Sequence, residues 1–458
     1  MEGGQGALDK MDIALMAVAA TSALVFYVLF LFRHPLPYGI DGPYYLTQVR
    51  AIERTGWLKY GDPPLAFYYF YALSVVLGDR ILAVKLGTAL AAASTVLPSY
   101  CLLKLELRGR WPALLGSLAL AFSPHVIRLS WDFLKNLLGS VFFLASLYFY
   151  ARSLRLNSSL SLAASSAFLL LASLTHSLAF AINLALLILY SAAWALLNRQ
   201  EARKALKSIV LVLAAPIAVA LIGLALLPEF FSDILKGKAF VEVLFFGGTS
   251  FFLFLSPLLS TTFAISLSGL LLGLRGARRH EGWSSLLLAS SLIGLAVSLP
   301  LSPPQWAWRF ALMGFLPVTV ALAVLAREAR DNLLSVAVVA AILIPLLAQT
   351  AVSFSLARPS IRREEYMDLL AMSELVEPRS VVVTSDVALG YWAEYVLDCD
   401  FARWLSLELF RRYDHVLLLL RIGTERFIYV DTVRFVYVGR ALMLVELFFP
   451  AGATGPRV

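Results

Sequence analysis

From Met11 to Ser355 the chain alternates apolar runs of membrane length with short charged connections. A helix needs roughly 20 mostly apolar residues to cross about 30 Å of hydrocarbon. Bounding the runs by charge predicts helices at 12–32, 80–103, 111–123, 133–151, 160–175, 178–197, 208–227, 250–273, 284–301, 307–326 and 333–355. After Arg358 the pattern changes to short apolar stretches broken by charge. These predict strands at 381–384, 415–420, 427–430, 435–438 and 442–448, and helices at 362–375 and 387–397. The expected fold is therefore an α-helical polytopic membrane protein with about eleven transmembrane helices in residues 1–357, carrying a small C-terminal α/β domain, residues 358–458, outside the membrane.

The connection at 33–79 is long and carries helix patterns of its own. Residues 43–55 read as a short amphipathic helix and 64–77 as an apolar, aromatic-rich one. The run Phe67, Tyr68, Tyr69, Phe70, Tyr71 suits the headgroup region, where amphipathic rings settle. Both helices are expected along the outer leaflet, unless 64–77 dips into it.

Composition agrees with this pattern: 60% of residues are hydrophobic and 15% charged, with a mean hydropathy of +0.79. The net charge of +8 is split into short clusters between apolar runs rather than gathered on one surface, so nucleic acid is excluded as a partner. The clusters are Lys104, Arg108 and Arg110; Arg152 and Arg155; Arg199, Arg203, Lys204 and Lys207; Arg275, Arg278 and Arg279; and Arg327 and Arg330. They occupy alternate connections, which the positive-inside rule assigns to the cytoplasm together with the N-terminus. The other connections and the C-terminal domain then face outward. The first span is too long for a signal-peptide core and lacks a small-residue cleavage site, so it is expected to remain as the first helix. Two cysteines, Cys101 and Cys399, support neither a disulfide framework nor a cysteine metal site. No Walker loop, dinucleotide fingerprint, HExxH or GxSxG context is present, which leaves nucleotide-driven transport unsupported.

The outward connections hold nearly all the chemically capable side chains. Asp41, in PYGIDGPYY, suits a catalytic acid, and equally an N-cap for the helix that begins there; the two uses are compatible. In SPHVIRLSWDFLKN, one continuous helix from Pro124 would bring His125, Arg128, Asp132, Lys135 and Asn136 onto one face. Such a face needs a wet cavity or partners, or else simply meets water at the interface. Arg309, beside Trp306 and Trp308, could grip a phosphate with its planar fork, or snorkel between interfacial tryptophans. His176 breaks two apolar runs at an outer turn and is either a polar turn residue or a substrate contact. The loop 228–249, with Glu229, Asp233, Lys236, Lys238 and Glu242, is either solvated or a cover for substrate.

In chain order, IDGPYY after the first span, DPPLAFYYFYALSVVLG, SWDFLKN between the third and fourth spans, and a late AWRF resemble the GT-C class of membrane glycosyltransferases. This class includes protein O-mannosyltransferases, the oligosaccharyltransferase catalytic subunit and the lipid A aminoarabinose transferase. The resemblance implies transfer of a sugar from a polyprenyl-phosphate-linked donor to a glycan, lipid or protein acceptor on the outer face, by inverting single displacement. It implies Asp41 and Asp132 as the catalytic acids and Arg309 as a contact of the donor phosphate; Tyr44, Tyr45, Arg128, Lys135, Asn136 and His176 are the further candidate substrate contacts. If a Mg²⁺ or Mn²⁺ assists, Asp41 and Asp132 are the expected ligands. Gly42, however, stands where related enzymes often carry a second acid. The alternative is a transporter or flippase of a lipid-linked or amphipathic solute, although transporters usually place their polar residues near the membrane midplane.

Overall fold

Hydrocarbon offers no water to unpaired backbone groups, so each crossing closes its own hydrogen bonds and becomes a helix. The computed structural model describes residues 8–228, 256–299, 309–328, 333–423 and 433–448. The helices that run through the bundle and its first connection are α1 Lys10–Leu31, α2 Asp41–Thr55, α3 Leu65–Leu77, α4 Arg80–Ser94, α5 Val96–Leu107, α6 Arg110–Ala121, α7 Pro124–Asp132, α8 Leu134–Leu156, α9 Ser159–Thr175, α10 Ser177–Leu197, α11 Ala202–Leu226, α12 Pro257–Arg278, α13 Ser284–Ser298, α14 Phe315–Glu328 and α15 Leu333–Leu356. Every expected crossing coincides with helix over its described residues, and α2 and α3 take the two expected places in the first connection. Nine helices among the described residues are long and apolar enough to cross a membrane, while α9 and α13 are shorter apolar helices. The chain is a multi-pass membrane protein.

Two interruptions shape the bundle. Pro98 has no N–H for the Ser94 carbonyl, and the long helix divides there into α4 and α5. Ser123 caps α7, with Val126 N–H donating to its Oγ at 3.2 Å, and Phe133 then leaves helical geometry at φ −136°, ψ 56° before α8 begins. Helices approach closely where side chains are small, as lipid-solvated packing requires. A Cβ on Gly294 of α13 would lie 2.1 Å from Ser266 Oγ of α12 and 2.7 Å from Pro317 Cγ of α14. At the far end of α8, Arg155 grips the buried Glu106 of α5 in two bonds of 3.0 and 2.6 Å, and Tyr190 of α10 donates to the same carboxylate at 2.9 Å.

The C-terminal domain contains α16 Arg363–Met372, β1 Ser380–Val383, α17 Val387–Leu397, β2 Asp400–Ala402, α18 Leu407–Arg412, β3 His415–Arg421, β4 Val433–Val438 and β5 Leu442–Leu447. Its sheet order is β2-β1-β3-β5-β4: β1 pairs in parallel with β2 and β3, and β5 pairs antiparallel with β3 and β4. β2 was not expected from the sequence; it is three residues long and owes its form to pairing with β1. The strand expected at 427–430 lies outside the described residues.

α17 packs directly on α2. Arg50 of α2 donates to the carbonyls of Tyr395 (2.7 Å) and Glu394 (3.0 Å), and Arg54 meets Asp398 at 2.7 Å. Lys59 bonds Asp400 at 2.6 Å and also pairs with Glu394. The sheet domain is thus fastened to the same helix whose first residue is Asp41.

Truncating Glu106 would strand the Arg155 guanidinium in a buried setting, which typically costs about 3–5 kcal/mol. Glu106→Ala is expected to lower the thermal midpoint of the detergent-solubilised protein well below that of Glu106→Gln, which keeps the acceptor for Tyr190. Equal midpoints for wild type and Glu106→Ala would count against this triad as a fastening point.

Candidate active site

The site begins with a close backbone approach. Gly39 has φ +67°, and a Cβ there would lie 2.3 Å from the Trp131 carbonyl oxygen and 2.1 Å from Asp132 Oδ1. Only glycine lets this loop lie against the end of α7. From there Ile40 N–H donates to Asp132 Oδ1 at 3.3 Å, and Gly39 N–H donates to the Arg358 carbonyl at 3.1 Å. Asp41 follows as the first residue of α2. The capping use of Asp41 is not realised: Ile40 holds the cap position, and no side chain bonds the first N–H groups. The carboxylate nonetheless sits at the positive end of the helix.

Five charged groups from separate segments act on one another here. Burial pushes the Asp41 carboxyl up to about 7, with Lys135 and Arg309 pulling it down and Asp132 and Asp62 pushing it up. Asp132 pairs with Arg128 at 2.6 Å, one turn back on α7. The Arg128 guanidinium lies 4.1 Å from the Trp131 ring centroid. Lys135 pairs with Asp62, which also accepts the Tyr44 hydroxyl at 2.9 Å. Gln48 steadies Tyr44 by donating to its hydroxyl at 3.1 Å, and its amide oxygen accepts the N–H groups of Lys59 and Tyr60. Arg309, exposed, lies 5.9 Å from the Phe133 ring centroid.

The expected continuous polar face is corrected by the break at Phe133. His125 is fully buried, facing Thr262 Oγ1 at 3.3 Å, and does not share a helix with Lys135 and Asn136. The break turns Lys135 toward Asp62. Tyr45, expected at the substrate, is 0% exposed, between Phe67 and Phe70 at 5.1 and 5.3 Å. Its hydroxyl accepts the Lys135 N–H at 2.7 Å, so it anchors the start of α8 instead of touching substrate. Asn136 is 2% exposed, and its Nδ2 has no hydrogen-bond partner among the described residues. His176, at the α9–α10 turn, is also buried and lies beside Gly139, one turn along α8 from Lys135. Trp306, Trp308 and the charged residues of loop 228–249 lie outside the described residues.

Sequence reading passed over Asp62, Gln48, Tyr60 and Tyr391. Asp62 heads the DPP motif and is 6% exposed, and an acid placed before two prolines in an aromatic stretch was the available signal. Tyr391, on α17, packs 5.3 Å from Tyr44; no local pattern announces it.

A divalent cation finds a poor donor set among these residues. Asp132 is engaged by Arg128 and the Ile40 N–H, and Asp62 by Lys135 and Tyr44. Among the described residues no group of three or more His, Cys, Asp or Glu is placed to hold a metal.

No family model matches the chain, and no curated protein matches its sequence. Among solved structures, it is similar to ArnT from Cupriavidus metallidurans, whose crystal structure contains undecaprenyl phosphate: the TM-score is 0.59 at 15% identity, covering 97% of this chain and 99% of that one. The cryo-EM structure of the arabinofuranosyltransferase AftD from Mycobacteria aligns with a TM-score of 0.46 at 17% identity, over 83% of this chain and 30% of that one. The first likeness bears out the expected architecture: the chain has a GT-C-type fold, with a bundle of membrane helices and a small C-terminal sheet domain.

The electrostatics of Asp41 can be read without knowing a substrate. Dicyclohexylcarbodiimide attacks protonated carboxyl groups, so its labelling of Asp41, mapped by mass spectrometry, should fall with a midpoint near pH 7. Removing an attractive cation raises the midpoint and removing a repulsive carboxylate lowers it. Lys135→Met is therefore expected to move it up and Asp132→Asn to move it down. A midpoint near pH 4 that ignores both changes would separate Asp41 from these groups.

Proposed function

We propose that this chain is a membrane glycosyltransferase that moves a sugar from a polyprenyl-phosphate carrier to an acceptor on the outer face of the membrane, with inversion by single displacement. The observation that carries the reading is the setting of Asp41, on which Lys135, Asp132, Arg309 and Asp62 all act. The fold likeness to ArnT, solved with undecaprenyl phosphate, suggests the carrier. The distribution of cationic clusters supports an outward-facing site, with the N-terminus in the cytoplasm and the C-terminal domain outside.

In this mechanism an acceptor hydroxyl oxygen attacks the anomeric carbon as the bond from that carbon to the phosphate oxygen breaks. Asp41 takes the hydroxyl proton, and the electron pair leaves with the carrier phosphate. A base that titrates near 7 is well matched to a neutral medium. The leaving phosphate gains charge in the transition state, where Lys135 and Arg309 stabilise it most. Asp132, held by Arg128 and the Ile40 N–H, keeps the Asp41 loop in register and raises the basicity of Asp41. Lys135 and Arg309 supply the charge compensation, so no step in this mechanism passes through a metal.

Asp41→Asn keeps the shape of the side chain and removes the base. Transfer of label from polyprenyl-phosphate-linked sugar in membranes should drop by about 10²–10⁴-fold, with carrier binding retained. Wild-type activity should rise with pH up to about 7 and then level off, since only ionised Asp41 accepts the proton. Full activity in Asp41→Asn would remove Asp41 from the mechanism.

Treatment with EDTA is expected to leave activity intact. Loss on chelation and recovery with Mg²⁺ or Mn²⁺ would instead return Asp41 and Asp132 to the role of metal ligands.

A further inference from the structure

Three tyrosine rings from three segments meet beside the carboxylates: Tyr44 on α2, Tyr60 in the connection to α3, and Tyr391 on α17 of the C-terminal domain. Tyr44 and Tyr60 stack at 24° with centroids 5.9 Å apart. Tyr391 leans across both, 5.3 Å from Tyr44 at 60° and 6.3 Å from Tyr60 at 75°. Unlike Tyr45, which is sealed in the core, all three keep part of their surface exposed.

The wall is held firmly. Tyr60 donates to Glu394 at 2.6 Å; this fully buried carboxylate lies one turn along α17 from Tyr391 and also pairs with Lys59. Arg50 fixes the same turn by donating to the Glu394 and Tyr395 carbonyls. Phe401 backs the Tyr391 ring at 5.6 Å, and only glycine at 390 leaves it room, since a Cβ there would lie 2.1 Å from the Phe401 ring. The Tyr44 hydroxyl is given to Asp62 and the Tyr60 hydroxyl to Glu394. The Tyr391 hydroxyl has no hydrogen-bond partner among the described residues; burial first, then the charges of Glu394, Asp41 and Asp62, push its pKa up. Packing alone does not call for a tyrosine whose hydroxyl is left unused at the partly exposed edge of this cluster.

We infer that the C-terminal domain completes a sugar subsite, in which Tyr44, Tyr60 and Tyr391 form an aromatic wall for the C–H face of a sugar ring and the Tyr391 hydroxyl meets a ring substituent. This rests on the glycosyltransferase reading. Sugar rings suit such a wall because one face carries mainly C–H groups that bury against a ring face, while the hydroxyls at the edge need polar partners. Donor and glycan acceptor share this chemistry, so the test has an arm for each.

The test uses full-length protein in lipid nanodiscs. One arm measures the Kd of undecaprenyl phosphate and of undecaprenyl phosphate linked to mannose, glucose or arabinose. The other measures the methyl glycosides of the same sugars on carrier-loaded protein. At least one lipid-linked sugar is expected to bind about five- to tenfold more tightly than bare carrier. Tyr391→Ala should remove that gain while leaving the Kd of bare carrier unchanged even though lost ring packing lowers the melting temperature somewhat, and Tyr391→Phe should keep the stacking part of it. If the wall serves the acceptor, Tyr391→Ala should instead abolish methyl glycoside binding.

No sugar-dependent gain in either arm, or gains that survive Tyr391→Ala in both, would overturn the inference. So would a Tyr391→Ala protein that loses bare-carrier affinity and melting temperature together, since that marks a purely structural ring. Failure of wild type to bind bare carrier at all would sink the glycosyltransferase reading itself, and this inference with it.

Discussion

An ionisable carboxylate, partly sheltered from solvent and held among charges of both signs, is the constraint that the candidate site of this protein is built around. Three carboxylates, Asp41, Asp62 and Asp132, stand with three cations, Arg128, Lys135 and Arg309. Charges of both signs act on Asp41, and burial, the largest influence, pushes its carboxyl up. Each nearby irregularity of the chain serves this balance. Gly39 admits the loop to the end of α7, the break at Phe133 frees Lys135 from the line of α7, and the DPP segment brings Asp62 underneath.

The membrane-spanning architecture was legible because hydrocarbon imposes a length on each apolar run and charge marks where the run ends. That is why every expected crossing falls on helix over its described residues, whereas α2, α3, α16 and α17, outside the crossings, were anticipated within a few residues from their own helical spacing. Features fixed by pairing at long range were not legible. β2 is a strand only because β1 lies beside it. The α7–α8 break contains no proline or glycine, so the helical spacing of His125 through Asn136 misled; tertiary packing buries His125 and redirects Lys135. Tyr45 illustrates a further limit: adjacent tyrosines on a helix point in different directions, and only packing separates Tyr44 at the site from Tyr45 in the core.

α2 is the element through which bundle and sheet domain meet. Its first turn carries Asp41 and Tyr44, and its later turns carry Arg50 and Arg54, which grip α17 and Asp398. Positions nine residues apart on a helix are roughly 14 Å apart along the axis, so a rigid rod of that length links the carboxylate to the clamp. The Lys59–Glu394 pair joins an exposed lysine to a fully buried carboxylate, which Tyr60 also satisfies, so the seam holds no stranded charge. The exposed pairs at the seam, Arg54–Asp398 among them, contribute little by themselves. The helix therefore makes the placement of Asp41 depend on contacts far from the membrane mouth.

The central claim is that Asp41, Asp132, Lys135 and Arg309 surround one substrate. A cryo-EM structure of the protein with undecaprenyl phosphate tests it most directly. The phosphate is expected within hydrogen-bonding reach of Lys135 and Arg309, with the Asp41 carboxylate facing the side from which an acceptor would arrive. A carrier phosphate bound elsewhere, with Asp41 and Asp132 pointing into separate surroundings, would contradict it.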